Sequence, residues 1–348
     1  ERRFLGFDAY RKAIDCLRPG DVVIQATHAA FRPVHIAYAV EKGVNVFMEK
    51  SFAPDTGGTH KLLRLAEAAK EKNLKIGCGI MCRHSTSRQA LIQKIRDGAM
   101  GQIQLIRAYR MDGGARMEPF PGNENELFWQ IRRPYYFMWV SSGNFIDLII
   151  HQVDECCWIK DSWPVTAQGL GGREPNSADC SQNLHSYAVE YTFADGTKAM
   201  VCNRGMPNCY NEFATFVHGA NCAAQFSGNV HAPTVQIYQD QRMDKNNITW
   251  QPEKEKMSPY QMEWDELLTA IRQDQRYNEL QRSAYSNLTC IMGRAAIHTG
   301  KIVTWDEAMA SNFTFCPNLE ALTPESPAPV QADAQGRYPV PIPGSWTE

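Results

Sequence analysis

The sequence predicts an α/β protein in two parts. Residues 1–80 form a partial domain with a parallel sheet, and residues 81–348 form an α+β domain with a large, mostly antiparallel sheet and a proline-rich tail. Three observations carry this. Short apolar strands alternate with helical segments as far as residue 78, the pattern of βαβ units with right-handed crossovers. Polar and apolar residues then alternate over several segments between 166 and 240, with a hairpin signal among them. At 348 residues the chain is long enough for two domains with a sizeable core.

Residues 4–17 read as the end of a first unit, so the chain is expected to open in mid-domain, with further residues upstream. Residues 21–27 (DVVIQAT) are a short apolar strand ending in polar residues. Helical content follows over 31–43, with Gly43 as its C-cap. Residues 44–49 (VNVFME) are a second buried strand, closed by a carboxylate and an ammonium, Glu49 and Lys50. A helix over 59–73 puts Leu62, Leu65, Ala66 and Ala69 on one apolar stripe, and 74–78 form a third strand. Ligands of open α/β sheets bind outside the carboxyl ends of the strands, which makes Glu49 and Lys50 a candidate site. A solvated pair at a strand end is the alternative. No G-x-G-x-x-G occurs, nor the acidic residue that follows one. Either that motif precedes residue 1 or this is a domain that never bound a nucleotide.

The character changes after Cys78. A helix over 87–97 and a strand over 102–109 lead into a Gly-, Pro- and Asn-rich loop, 113–128. Residues 128–139 crowd Phe128, Trp129, Tyr135, Tyr136, Phe137 and Trp139 around Arg132 and Arg133. Such faces suit sugar rings, and a core cluster under the loop is an equal reading. Residues 145–159 (FIDLIIHQVDECCWI) predict a buried helix with Asp147, His151 and Asp154 on one line, at i, i+4 and i+7. An aspartate four residues before a histidine can orient the imidazole and raise its basicity. A structural Asp–His hydrogen bond and a metal site are the alternatives, the second needing Asp154 as third ligand. Segments 186–193, 197–204 and 213–220 read as antiparallel strands, the first two joined by the Ala-Asp-Gly turn at 194–196. Amphipathic helices follow over 262–274, with Trp264, Leu267, Leu268 and Ile271, and over 284–298, with Leu288, Ile291, Met292 and Ala295. Thr304 and Glu307 form a capping box. The proline-rich tail from Cys316 is expected to be extended, wrapping the surface or reaching a neighbour.

Composition narrows the function classes. With 36 basic and 38 acidic side chains the formal net charge is -2, and no basic block marks a nucleic-acid or anionic-membrane surface. The apolar runs are far too short to span a bilayer, and the opening ERRFLGF has no n-region or h-region of a signal peptide. The 11 cysteines are scattered without a C-x-x-C pair, so they read as small apolar residues rather than a zinc site, and favour a reducing compartment.

Three stretches together, 26–52 (ATHAAFRPVHIAYAVEKGVNVFMEKSF), 142–159 (SGNFIDLIIHQVDECCWI) and 293–309 (GRAAIHTGKIVTWDEAM), resemble the Gfo/Idh/MocA family of NAD(P)-dependent oxidoreductases. The tail GRYPVPIPG (336–344) and the aromatic stretch near Tyr135 are similar to the subgroup abundant in planctomycetes, and the resemblance covers nearly the whole chain. It implies that residues 1–80 are a partial Rossmann domain, with NAD or NADP as cofactor and a carbohydrate substrate held between the two domains. It also implies a homo-oligomer, dimer or tetramer, built on the open sheet. Carried over by position, Lys50, Asp147 and His151 are catalytic, and Thr27, His28, Phe31, Glu49 and Lys50 line the nicotinamide side. Arg83 and His84, after the third strand, and Tyr135 and Tyr136 are placed at the substrate; no metal ligand is implied. The resemblance leaves a cytoplasmic location open beside a periplasmic one, reached by twin-arginine export if a signal precedes the chain. Ser51 departs from the family's proline after the lysine, which often sets a cis bond, and His28 stands where proline is usual. Three functions fit: a dehydrogenase, a glycoside hydrolase or lyase working by transient NAD-dependent oxidation of the sugar, or a non-catalytic sugar- or nucleotide-binding sensor.

Overall fold

The computed structural model describes residues 2–348 except 175, 230, 232 and 233. After α1 (Ala9–Ile14) come β1 (Val22–Gln25), α2 (Arg32–Glu41), β2 (Asn45–Met48), α3 (Thr56–Glu71) and β3 (Ile76–Cys78). The three strands form a parallel sheet in the order β1-β2-β3. All four residues of β2 are buried, as the middle strand of a sheet covered on both faces requires. Pro33 sits in the first turn of α2, where its missing N–H costs nothing. Gly43 follows that helix at φ 71°, a left-handed turn that favours glycine. The helix expected over 59–73 starts a turn earlier because the Asp55 carboxylate accepts from Gly58 N at 2.8 Å and caps it.

One turn of 3-10 helix, Met81–His84, leads to α4 (Thr86–Arg96), and β4 (Ile103–Asp112) opens the second sheet. Then come α5 (Glu126–Ile131), α6 (Met138–Ser141) and α7 (Gly143–Lys160). The strands β5 (Thr166–Gly172), β6 (Ser186–Thr192), β7 (Lys198–Gly205), β8 (Glu212–Gly219), β9 (Ala223–Ser227), β10 (Gln236–Tyr238) and β11 (Ile248–Trp250) follow. The chain ends through α8 (Pro259–Arg272), α9 (Leu280–Thr299), β12 (Val303–Thr304), α10 (Trp305–Ala310) and the tail. Among the described residues the second sheet has nine strands in the order β11-β10-β9-β8-β4-β7-β6-β5-β12. Its pairs are antiparallel except β4 with β7. The hairpin at 194–196 joins β6 and β7 as expected. The third alternating segment, β8, is not the neighbour of β7: β4 lies between them. The link after β7 crosses the end of β4, where Met206 N donates to Asp112 O at 3.0 Å.

Helix α7 is buried at all but three of its 18 positions. It packs on α9 and on the large sheet, with Phe145 stacked on Tyr187 (4.6 Å) and Trp158 edge-on to Phe226 (5.6 Å). Each fully buried Ile or Phe on it contributes roughly 1.5–3 kcal/mol. The aromatic stretch divides: Trp129, Phe137 and Trp139 are core, whereas Tyr135 is 52% exposed. The tail wraps its own chain, Tyr338 packing edge-on to Phe137 at 4.7 Å. The capping box at Thr304 and Glu307 forms. All 11 cysteines are free and most are buried. No helix is long and apolar enough to cross a membrane among the described residues.

Candidate functional site

Two local features bring the first three site residues together. Lys50 lies just past the carboxyl end of β2. Ser142 and Gly143, at φ 73° and 71°, turn the chain into α7, so that the first turns of that helix face the strand end. Lys50 Nζ donates to the Asp147 main-chain carbonyl at 2.7 Å and to the Asp147 carboxylate at 3.2 Å. The Lys50–Ser51 peptide bond is cis, and Ser51 is buried. Its carbonyl accepts from Nη1 of the buried Arg32, in the first turn of α2.

His151 lies one turn beyond Asp147 and is buried. Burial, helped by the nearby Lys50 ammonium, pushes its imidazole down to about 3, so the ring is neutral across the physiological range. Its Nδ1 has no hydrogen-bond partner among the described residues. The Asp147 carboxylate holds Lys50 rather than the imidazole, because the i, i+4 step places it nearer the end of β2. Asp154, third on that line, accepts two bonds from Arg83 (2.7 and 2.9 Å) and one from Ser286 Oγ (2.6 Å). Burial raises its carboxyl, but Arg83 outweighs that and holds it below the ordinary value.

Arg83 is therefore committed to Asp154 and lies over the Trp158 ring, 4.9 Å from its centre. His84 is buried between Glu266 (2.9 Å) and Glu279 (3.3 Å). Burial lowers its pKa, and the two carboxylates overcome this to raise it. Both were expected at the substrate. The structure instead makes them struts that tie the turn after β3 to α7, α8 and the start of α9.

Lys50, Asp147 and His151 line one cavity of about 180 Å³. Glu49 lines it too, together with four residues that the sequence reading did not select: Arg110, His231, Tyr260 and Glu263. Arg110 stands on β4 opposite Phe213 on β8, its guanidinium 4.1 Å from the ring centre. His231 Nδ1 and Tyr260 Oη lie 2.6 Å apart. Glu263 belongs to the buried face of α8 with Pro259 and Leu267, four residues to either side. A carboxylate in that apolar stripe was the signal available in the sequence. Burial pushes its carboxyl up to about 8, His84 opposing this and Glu49 and Glu279 adding to it.

Tyr135 and Tyr136 line an adjoining cavity of about 380 Å³ with Asn144 and Asn183, and Leu148 belongs to both cavities. Thr27, His28 and Phe31 line a third of about 740 Å³, past the carboxyl end of β1, with residues from the segment 2–13 as its other wall. There Thr27 Oγ1 lies 3.1 Å from His35 Nδ1, and burial, then Arg32, lowers the His28 imidazole. The five residues expected on the cofactor side are thus split: Glu49 and Lys50 face the small cavity, the other three the large one. In the small cavity a fixed ammonium, a neutral imidazole and a carboxyl that holds its proton at neutral pH meet, a set able to bind a hydroxyl group and move its proton.

No protein-family profile and no curated protein matches the chain. Solved structures do. Myo-inositol 2-dehydrogenase from Lactobacillus plantarum matches with a TM-score of 0.61 and 20% identity, over 85% of this chain and 83% of that one. Aldose-aldose oxidoreductase from Caulobacter crescentus, complexed with glycerol, matches with a TM-score of 0.64 and 14% identity, over 86% and 83%. GenD2 from gentamicin A biosynthesis, in complex with NAD, matches with a TM-score of 0.62 and 18% identity, over 84% and 80%. At these identities the likeness establishes the two-part fold, a small parallel sheet followed by a large mixed one.

Proposed function

We propose that this chain is an NAD(P)-dependent oxidoreductase that oxidises one hydroxyl of a sugar, polyol or glycoside by hydride transfer. The observation that carries the reading is the junction of Lys50 with Asp147, in one cavity with the neutral His151, whose Nδ1 has no partner among the described residues. The fold neighbours support it, being proteins described as acting on inositol or aldose or as solved with NAD.

The cofactor's nicotinamide end would lie against the residues past β1. Phe31 and Thr27 line a cleft at the carboxyl end of a parallel strand, where such sheets take ligands. Thr27, His28 and Phe31 would hold it, with Glu49 and Lys50 at the neighbouring strand end. When bound, it supplies the redox chemistry by accepting hydride. The chain's own groups handle the substrate. Lys50, fixed by both acceptors of Asp147, donates to the reacting oxygen and stabilises the negative charge that develops there. His151 is neutral and takes the hydroxyl proton as general base. Arg32 holds the Ser51 carbonyl, and so the segment after Lys50.

One observation favours the second reading, glycoside cleavage through transient oxidation. The adjoining cavity with Tyr135 and Tyr136 leaves room for an aglycone beside the reacting ring. In the same proposal the open face of the large sheet, where Leu170 is 81% exposed, takes a second copy of the chain in a dimer or tetramer. A panel of cyclic polyols, aldoses and glycosides, assayed with NAD and with NADP, tests the function. Steady formation of reduced cofactor is expected, with His151→Ala slower by roughly 10²–10⁴-fold. Aglycone release without added cofactor selects the second reading. Absence of both reactions across the panel contradicts the proposal.

A further inference from the structure

Glu263 has no part in the chemistry above, yet it lines the same cavity as Lys50 and His151. The residue is 4% exposed, and its Oε2 has no hydrogen-bond partner among the described residues. A buried carboxyl oxygen without a partner is costly, and a bound ligand is what can satisfy it. Tyr260 stands one turn earlier on α8, bonded to His231, and both line the cavity. The cavity therefore has a reacting wall, built from the end of β2 and from α7, and a second polar wall that no step of the oxidation needs.

We infer that Glu263, flanked by Tyr260 and His231, reads a non-reacting hydroxyl of the substrate and so sets which polyol or sugar the site accepts. This rests on reading the cavity as the place where a carbohydrate is oxidised. A hydroxyl both donates and accepts, as does a carboxyl that keeps its proton. At about 180 Å³ the cavity is smaller than the roughly 300–1,000 Å³ of drug-sized sites, on the scale of one sugar ring. A ring held at Lys50 by one hydroxyl presents its others to the remaining walls. The charged and titratable groups acting on Glu263 are Glu49 from the end of β2, His84 from the 3-10 turn, Glu279 from the start of α9 and Tyr260 from α8, and Lys50, Arg110 on β4, Asp147 and His151 on α7 and His231 line the cavity with it. Burial and the two carboxylates keep Glu263 protonated up to about 8 against the pull of His84, so it is a donor at neutral pH.

The test compares the protein with Glu263→Leu and Glu263→Gln on the best substrate and on analogues each lacking one non-reacting hydroxyl. The wild type is expected to reject one deoxy analogue by roughly 10²-fold or more in kcat/KM, because a site built to bond a hydroxyl leaves its own groups unpaired without it. Glu263→Leu is expected to lose activity on the parent but not on that analogue, collapsing the ratio to a few-fold. Glu263→Gln, near in shape, keeps most of the ratio and loses the decline in kcat/KM above about pH 8. Stability reports the fold of the variants. The native carboxyl holds its proton between its ordinary 4.5 and about 8 while the unfolded one does not, so wild-type stability falls as pH rises through that window. Glu263→Gln lacks that fall and gains over the wild type towards pH 8. Turnover by Glu263→Leu with the wild-type ratio, or a change in cofactor affinity alone, overturns the inference and leaves the oxidoreductase reading intact. Equilibrium binding of the same sugars separates the converse case. Deoxy discrimination in binding that Glu263→Leu abolishes, with no turnover by the wild type, sinks the oxidoreductase reading alone; no binding of any sugar sinks both.

Discussion

Lys50→Ala is expected to lower kcat/KM by about 10³-fold or more while the chain still folds. In the proposed mechanism the substitution removes the donor to the reacting oxygen and leaves His151 without charge stabilisation beside it. The structural cost is smaller. Asp147 loses its ion pair, and a buried carboxylate without its partner costs about 1–3 kcal/mol. The Arg32 guanidinium remains electrostatically coupled to it, which limits the loss. Far-ultraviolet circular dichroism and a denaturant midpoint, measured beside steady-state rates, separate the two effects. A folded Lys50→Ala variant within tenfold of wild-type turnover removes the lysine from the chemistry.

Glu155→Ala is expected to destabilise the protein by about 3–5 kcal/mol. Glu155 and Arg88 are wholly buried side chains paired at 3.1 Å, joining α7 to α4. The other carboxylate oxygen accepts from Thr215 Oγ1 (2.6 Å) on β8 and Ser227 Oγ (3.0 Å) on β9. Removing the carboxylate takes the Glu155 charge away from a buried guanidinium, and this acceptor away from two hydroxyls. Replacing both charges, as Arg88→Met with Glu155→Leu, is expected to recover the part of the loss owed to the buried charge, since a buried ion pair is often no better than apolar packing of the same volume, while the two hydroxyls still lack this acceptor. Urea titration of the wild type, the single variant and the double variant checks this. A loss below about 1 kcal/mol in the single variant contradicts the role given to Glu155. Because α7 carries Asp147 and His151, a loosened α7 also slows turnover.

The parallel strands, and the helix with Asp147 and His151, were legible because their signals are local. A short apolar run with a charged end, and an apolar segment with polar residues at i and i+4, can each be read without knowing what lies across from them. That Lys50 and Asp147 meet was in neither local signal; only the resemblance of 26–52 and 142–159 to one family brought them together. Arg83 and His84 show the limit of that reading. In the sequence they are charged residues in a turn after a strand, yet their partners Asp154, Glu266 and Glu279 are 71 to 195 positions away and close them off. Arg110 and Phe213 become neighbours only through the register of β4 on β8, and β4 itself comes to lie between two segments that look adjacent along the chain. Glu263 was readable in principle, as a carboxylate in the apolar stripe of α8. Its meaning depended on the cavity that stripe helps to enclose.

A hydride is proposed to leave a substrate carbon in the cavity of Lys50, Asp147 and His151. The most direct measurement uses the sugar or polyol selected by the panel, carrying deuterium at the carbon that is oxidised. Transfer of that deuterium into the reduced cofactor, one label for each turnover, is the predicted result, with Lys50→Ala and His151→Ala both losing it. Product formed while the label passes to solvent, or stays on the sugar with no cofactor reduced, contradicts the claim.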